Sequence, residues 1–113
     1  MSEESITSLF CNLLDNSIEA ACKDNNPFIQ LTISNNENTP IALITVVNSC
    51  ISSPFSAKTG KLLTGKSNPF IHGFGVKSIE NVVKKYSGTM TMYYRDEDHT
   101  FHTVIALQEY QIN

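Results

Sequence analysis

The sequence predicts an α+β domain: a two-layer α/β sandwich whose mostly antiparallel sheet is covered by helices on one face. Three observations carry this. Two segments show the 3.6-residue spacing of amphipathic helices, and four show the alternation or apolar runs of strands. They follow the order helix, two strands, long loop, helix, two strands, an order that builds strands with helices packed on one side. The 113 residues supply one core and not two, so a single domain, 1–113, is expected.

The first helix is expected from Ser5 to Lys23. Ile6, Leu9, Phe10, Leu13, Leu14, Ser17 and Ala21 share one broad face, while Asn12, Asp15, Asn16 and Glu19 fall on one stripe of the opposite face. Ser2 or Ser5 can cap the start. Asp24-Asn25-Asn26-Pro27 ends the helix, because asparagine tolerates left-handed geometry and proline cannot extend a helix. Phe28–Ile33 alternates as a first strand, and the polar turn 35–38 leads to a second, Ile41–Val47, in an antiparallel hairpin. From Asn48 to about His72 no period is sustained, and Ser, Gly, Lys and Pro are frequent. A loop of that length in a compact domain is usually functional, and it reads as a lid. A second helix begins near Phe74 or Gly75, with Val76, Ile79, Val82, Val83 and Tyr86 on its apolar side. Gly88, after Ser87, provides a left-handed stop. Strands Thr89–Arg95 and Thr100–Gln108, joined by the turn Asp96–His99, complete the chain.

A hydrophobic content of 41% and a charged content of 17% belong to a globular rather than a disordered chain. The net charge of -3, with no basic run, excludes the electrostatic footprint of a nucleic-acid binder. An anionic ligand must therefore be held by local groups: backbone amides, a metal ion, or one or two lysines. No apolar run approaches the ~20 residues that cross a bilayer, and the acidic start Met1–Glu4 is no signal peptide, so no membrane contact is expected. Cys11, Cys22 and Cys50 form no CxxC pair. Their odd number argues against a disulfide framework and for a reducing, cytoplasmic setting; all three read as packing residues, with Cys50, at the lid base, the one of them expected to be most exposed and reactive. His72, His99 and His102 are isolated; the last two are three apart but lack a third metal ligand.

Two segments carry chemistry. In Asn12-Leu13-Leu14-Asp15-Asn16-Ser17-Ile18-Glu19-Ala20, asparagines on successive helical turns are a poor choice for propensity alone. Their carboxamide oxygens suit a hard cation such as Mg²⁺, which keeps several waters and bridges protein oxygens to phosphates; a solvated polar stripe is the plainer alternative. In His72-Gly73-Phe74-Gly75-Val76-Lys77-Ser78, glycines at a helix start admit close approach of a ligand, and free amides with the helix dipole attract phosphate. A tight loop-to-helix turn would need the same glycines. Lys58, Lys61 and Lys66 in the preceding loop add positive charge.

Together these segments resemble the GHKL (Bergerat-fold) ATP-binding family in type and order, over about Ser5 to Leu107. The asparagine helix is similar to the family's N box, and Gly73-Phe74-Gly75 to its second glycine box at the far end of the ATP lid. The stretch Gly73–Gly88 is especially similar to kinases that sense peptide pheromones in Gram-positive quorum sensing. The resemblance implies a sensor histidine kinase domain binding ATP and Mg²⁺, with Asn16 holding Mg²⁺ against the phosphates and Asn12 one turn earlier. Hydrolytic relatives carry a glutamate as base at the place of Asn12; an amide cannot accept that proton, which favours kinase over ATPase. Where the family usually has Asp-x-Gly, this chain reads Asn48-Ser49-Cys50. Asn48 can still accept from the adenine amine, whereas Cys50 replaces a glycine, and modest nucleotide affinity is expected. Phe74, Val76, Lys77 and Thr100 complete the implied ATP-binding set, Thr100 standing in a region similar to the family's closing Gly-Thr-x-Phe without its glycine.

The implied partners are a dimerisation domain carrying the phosphoacceptor histidine, a downstream response regulator, and a parent protein in the cell membrane whose dimerisation and sensor domains lie outside this fragment. Such a fragment is not expected to autophosphorylate alone. Two further readings stay open: a degenerate nucleotide-binding or protein-contact module, favoured by Asn48 and Cys50, and an anti-sigma-factor serine kinase on the same fold.

Overall fold

The computed structural model describes residues 2–35, 38–55 and 76–108, and the backbone of 73–75. The elements come in the expected order: α1 (Glu3–Ala21), β1 (Ile29–Asn35), β2 (Ile41–Ser49), α2 (Gly73–Lys85), β3 (Thr89–Arg95) and β4 (Thr100–Gln108). The four strands form one antiparallel sheet in the order β1-β2-β4-β3, and both helices pack on one face of it. This is the expected α+β sandwich. Each hairpin pairs sequence neighbours, and the sheet closes where β2 and β4 meet, Ile44 opposite Ile105 and Val46 opposite Thr103.

Ser2 is the N-cap of α1: its Oγ accepts from the Ser5 N–H at 3.1 Å, and Glu3 and Glu4 in the first turn complement the helix dipole. The helix ends at Ala21, two residues before the expected stop. The Asp24 N–H then donates to the Ala21 carbonyl, and Asp24 Oδ1 accepts from the Asn26 N–H. Leu9, Leu13, Ser17 and Ala21 are buried as expected, but Ile6 is 40% exposed. The asparagine stripe flanks the buried face rather than opposing it: Asn12, Asn16 and Glu19 are half-buried and only Asp15 is exposed.

The stop of α2 differs from expectation in its chemistry. Ser87, not Gly88, is the left-handed residue (φ 55). The Gly88 N–H donates to the Val83 carbonyl and the Ser87 N–H to the Lys84 carbonyl, the paired bonds of a Schellman motif. Gly88 is required for space, since a Cβ there would strike the Ala106 carbonyl oxygen of β4.

The main core joins Leu9 and Leu13 of α1, Ile79, Val82 and Val83 of α2, and Ile44, Val46, Ile105 and Leu107 of the central strands. Ile79 and Ile105 are fully enclosed, so each contributes roughly 1.5–3 kcal/mol by burial. A second cluster of Ala20, Cys50 and Phe101, flanked by Phe55, Met92 and Tyr94, lies toward the other end of α1. β2 runs on to Ser49, which takes Asn48 and Ser49 out of the expected loop and into the sheet. Most of the expected lid, 56–72, with Lys58, Lys61, Lys66 and His72, lies outside the described residues. Among the described residues no helix is long and apolar enough to cross a membrane.

Candidate functional site

A cavity opens between α1, α2 and the helix-facing side of the sheet, in the seam between the two apolar clusters. The space between its walls, open solvent at the mouth included, comes to about 380 Å³, while the room inside for the centre of a water-sized molecule is about 20 Å³. Leu13, Asn16, Ser17 and Ala20 form one wall, since positions 3, 4 and 7 apart share a helix face. Ile79 of α2 closes the far side. Asn48, Met92, Phe101 and Thr103 form the sheet floor, and Cys50 and Pro54 close the end beyond β2.

The structure thus brings together two expected residues, Asn16 and Asn48, that stand 32 positions apart in the chain. Asn48 is only 2% exposed, and its Nδ2–H donates to the Ser49 carbonyl at 3.0 Å. That bond fixes the carboxamide and leaves Oδ1 as the acceptor that a ligand can use. Asn16 is half-buried at the opposite wall and makes no hydrogen bond among the described residues, so its carboxamide is available to the cavity. A neutral amide oxygen beside a ligand's phosphates fits Mg²⁺, which takes one or two protein oxygens and completes its shell with water and phosphate. Among the described residues no group of three or more His, Cys, Asp or Glu could hold a metal ion by itself.

Of the other expected residues, the described Asn12, Val76 and Lys77 are not in the lining. Asn12 is half-buried, and its Nδ2–H donates back to the Ser8 carbonyl at 2.7 Å, one turn earlier on α1. Gly73, Phe74 and Gly75 form the first turn of α2, the helix that supplies Ile79, so the first-turn amides stand at the start of a cavity-bordering element. Val76 is buried and Lys77 is exposed.

Thr100 is not brought to the cavity. Side chains alternate along β4, so Phe101 and Thr103 face the helices while Thr100 and His102 face the other way. Thr100 Oγ1 donates to Asp98 Oδ1 at 2.6 Å, which leaves its oxygen to accept from His102 Nε2–H at 2.8 Å. The His102 ring stacks on Tyr93, with centroids 4.6 Å apart. Burial holds the His102 imidazole below its usual range, with the Arg95 guanidinium adding to the effect. The hydrogen bond from Thr100 holds the Asp98 carboxyl low.

Cys50 is a packing residue, as read for the cysteines, but it is the buried thiol of the three and not the most exposed. It is 1% exposed, whereas Cys11 and Cys22 are exposed. Its Sγ–H donates to the Ser52 carbonyl at 3.1 Å, and burial pushes the thiol's pKa up, which makes it a poor nucleophile. The β3–β4 turn holds it in place: the Cys50 N–H donates to the His99 carbonyl, and Tyr94 Oη donates to the Cys50 carbonyl at 2.9 Å. Thr103, Met92, Phe101 and Pro54 are lining residues that sequence reasoning missed. Only Thr103 left a signal, as a polar residue on the otherwise apolar helix-facing side of β4.

No curated protein sequence matches the chain. Solved structures do. The catalytic domain of histidine kinase ThkA aligns with TM-score 0.68 at 18% identity, over 96% of this chain and 68% of that one. The mycobacterial sensor histidine kinase MprB aligns with TM-score 0.73 at 15% identity, over 96% and 72%. The histidine kinase domain of the blue-light activated kinase EL346 from Erythrobacter litoralis aligns with TM-score 0.71 at 16% identity, over 95% of this chain and 47% of that one. At such low identity these likenesses establish a shared fold. The sequence profile of the GHKL domain family matches residues 1–108. With nearly the whole sequence matched, this chain belongs to the GHKL domain family.

Proposed function

We propose that this chain is the ATP- and Mg²⁺-binding catalytic domain of a two-component sensor histidine kinase, transferring the γ-phosphoryl group of ATP to a histidine on a separate dimerisation domain. One observation carries the reading: the carboxamides of Asn16 and Asn48 face one cavity from a helix and a strand, beside a helix that opens on Gly73. Asn48 Oδ1 accepts from the amino group of the adenine. Leu13, Ile79, Met92 and Phe101 give the base an apolar slot. Asn16 is set toward the phosphates, where Mg²⁺, when bound, neutralises their charge. The first-turn amides of α2 at Gly73, Phe74 and Gly75 attract the phosphate chain, with Val76 packing that turn into the core and Lys77 exposed beside it.

Transfer breaks the bond between the γ-phosphorus and its bridging oxygen, forms a phosphorus–nitrogen bond to the acceptor imidazole, and releases ADP. Nothing in this chain needs to activate water. Asn12, whose amide is a donor to its own helix, cannot take a proton, so hydrolysis stays slow while transfer to a better-placed nucleophile proceeds. A response regulator downstream, a membrane-bound parent and a peptide-pheromone signal are consistent with the Gly73–Gly88 stretch. The test is incubation with labelled ATP, Mg²⁺ and a helical domain bearing the acceptor histidine. Label lost in acid and stable in base is expected. No transfer with intact nucleotide binding would favour the degenerate module, which the buried Cys50 at a glycine position supports; acid-stable label on serine would favour the anti-sigma kinase.

A further inference from the structure

We propose that Tyr94 is a positioning residue for recognition of the nucleotide base: acting through the backbone of Ser49 and Cys50, it keeps the Asn48 carboxamide turned with Oδ1 toward the cavity. The inference rests on the reading that adenine lies against Asn48. Tyr94 itself is not among the residues that line the cavity, so any effect on the base must pass through others.

A chain of hydrogen bonds runs from Asn48 out to the β3–β4 turn. The Asn48 Nδ2–H donates to the Ser49 carbonyl at 3.0 Å. That carbonyl and the Cys50 N–H belong to one planar, trans peptide unit, so they point in opposite directions and turn together. The Cys50 N–H donates to the His99 carbonyl at 2.8 Å, and the Cys50 carbonyl accepts from Tyr94 Oη at 2.9 Å. Because that carbonyl takes the single phenolic proton, His99 Nδ1–H is the donor to Oη at 3.0 Å. One hydroxyl thus holds both partners of the Cys50–His99 pair. His99 sits in an exposed turn with φ 54, a left-handed conformation that few residues adopt unaided. Without the hydroxyl, the carbonyl of the 1% exposed Cys50 loses its partner, and the segment must shift for water to reach it. The Ser49 carbonyl then turns with its peptide, and Asn48 loses the acceptor that orients it.

Orientation matters here because residue 48 is an amide. A carboxylate offers an oxygen whichever way it is turned, whereas a carboxamide has an acceptor at one end and donors at the other. With Oδ1 toward the cavity, Asn48 accepts from the amino group on C6 of adenine and opposes the carbonyl oxygen that hypoxanthine carries at the same place. Turned over, it presents Nδ2–H and the preference reverses. Choice of base therefore depends on what holds the Ser49–Cys50 peptide, and that is the pair of bonds made by the Tyr94 hydroxyl together with the His99 carbonyl.

The test is calorimetric titration of Mg²⁺-ATP and Mg²⁺-ITP, whose bases differ at C6 and in the proton on the adjacent N1, into wild type, Tyr94→Phe and Gly88→Ala. Wild type should prefer ATP by at least about tenfold, the scale of one mismatched buried hydrogen bond. Tyr94→Phe keeps the ring that packs beside Cys50 and Phe101. It should bring the two affinities within about threefold of each other, with ATP bound more weakly and ITP no more weakly than by wild type. Gly88→Ala disturbs the opposite end of the sheet, where Thr89 pairs with Ala106, and should keep the wild-type ratio. A preference that survives in Tyr94→Phe, or one that Gly88→Ala also loses, overturns the role of Tyr94 while leaving adenine at Asn48. A wild type that binds both nucleotides equally, or neither, overturns the placing of adenine at Asn48 and the role of Tyr94 with it.

Discussion

Replacing Asn48 by aspartate would introduce the residue that the family's usual Asp-x-Gly has at this place, yet here it should weaken the domain. Asn48 Nδ2 lies 3.0 Å from the Ser49 carbonyl oxygen, and the side chain is 2% exposed. Aspartate places an oxygen where that donor was. The lost hydrogen bond costs about 1 kcal/mol net, and a buried carbonyl left facing an unpaired carboxylate adds about 1–3 kcal/mol. The sum is about 2–4 kcal/mol at pH 7. A protonated carboxyl could donate to Ser49 again, so the folded-state pKa of the new group rises above its unfolded value near 3.9. The native state then holds more protons than the unfolded state between those two values, and the deficit shrinks as the pH falls toward about 4. Urea unfolding of both proteins at pH 7 and pH 5 measures each part. Equal stability at pH 7, or a gap indifferent to pH, would refute the claim that Ser49 orients this amide.

Gly88→Ala should destabilise by about 1–3 kcal/mol, because the new methyl meets the backbone carbonyl of Ala106, which cannot yield as a side chain could, and also Leu107 Cδ2 at 2.8 Å; thermal unfolding reads the loss. His102 is held below its ordinary range by burial, so the unfolded state takes up the proton first and stability falls as the pH drops below about 6.5. His102→Gln should flatten that part of the stability–pH curve between pH 7.5 and 5 in urea titrations.

Periodicity was enough to read the architecture, because α1, α2 and the two hairpins each carry a local signal. Adjacency of β2 and β4 carries none: it emerges only when Ile44, Val46, Ile105 and Leu107 share one core. The same limit governed the site. Asn16 was legible from the residues, since asparagine in a helix interior contradicts propensity, whereas Asn48 is expected only through the resemblance, at the place of the family's Asp-x-Gly. Thr100 is expected at the site only through the likeness of Thr100-Phe101 to the family's Gly-Thr-x-Phe, and the register of β4 turns Thr103 rather than Thr100 to the helices. Cys50 was expected at the base of a loop; its burial comes from Phe101 and from the β3–β4 turn, elements about 50 residues distant in the chain. Ser87 took the left-handed conformation next to an available glycine because Gly88 was already committed to passing β4 closely.

The most direct test of the account is the thermal stability of wild type and Asn16→Ala with and without Mg²⁺-ATP. Asn16 is half-buried and makes no hydrogen bond among the described residues, so its removal should leave the ligand-free stability within about 1 kcal/mol. Nucleotide at about 100 times its dissociation constant should stabilise wild type by about 2.7 kcal/mol and Asn16→Ala by far less. If the two proteins shift equally, or neither shifts with any nucleotide, the cavity between Asn16 and Asn48 is not where the phosphates of ATP are held.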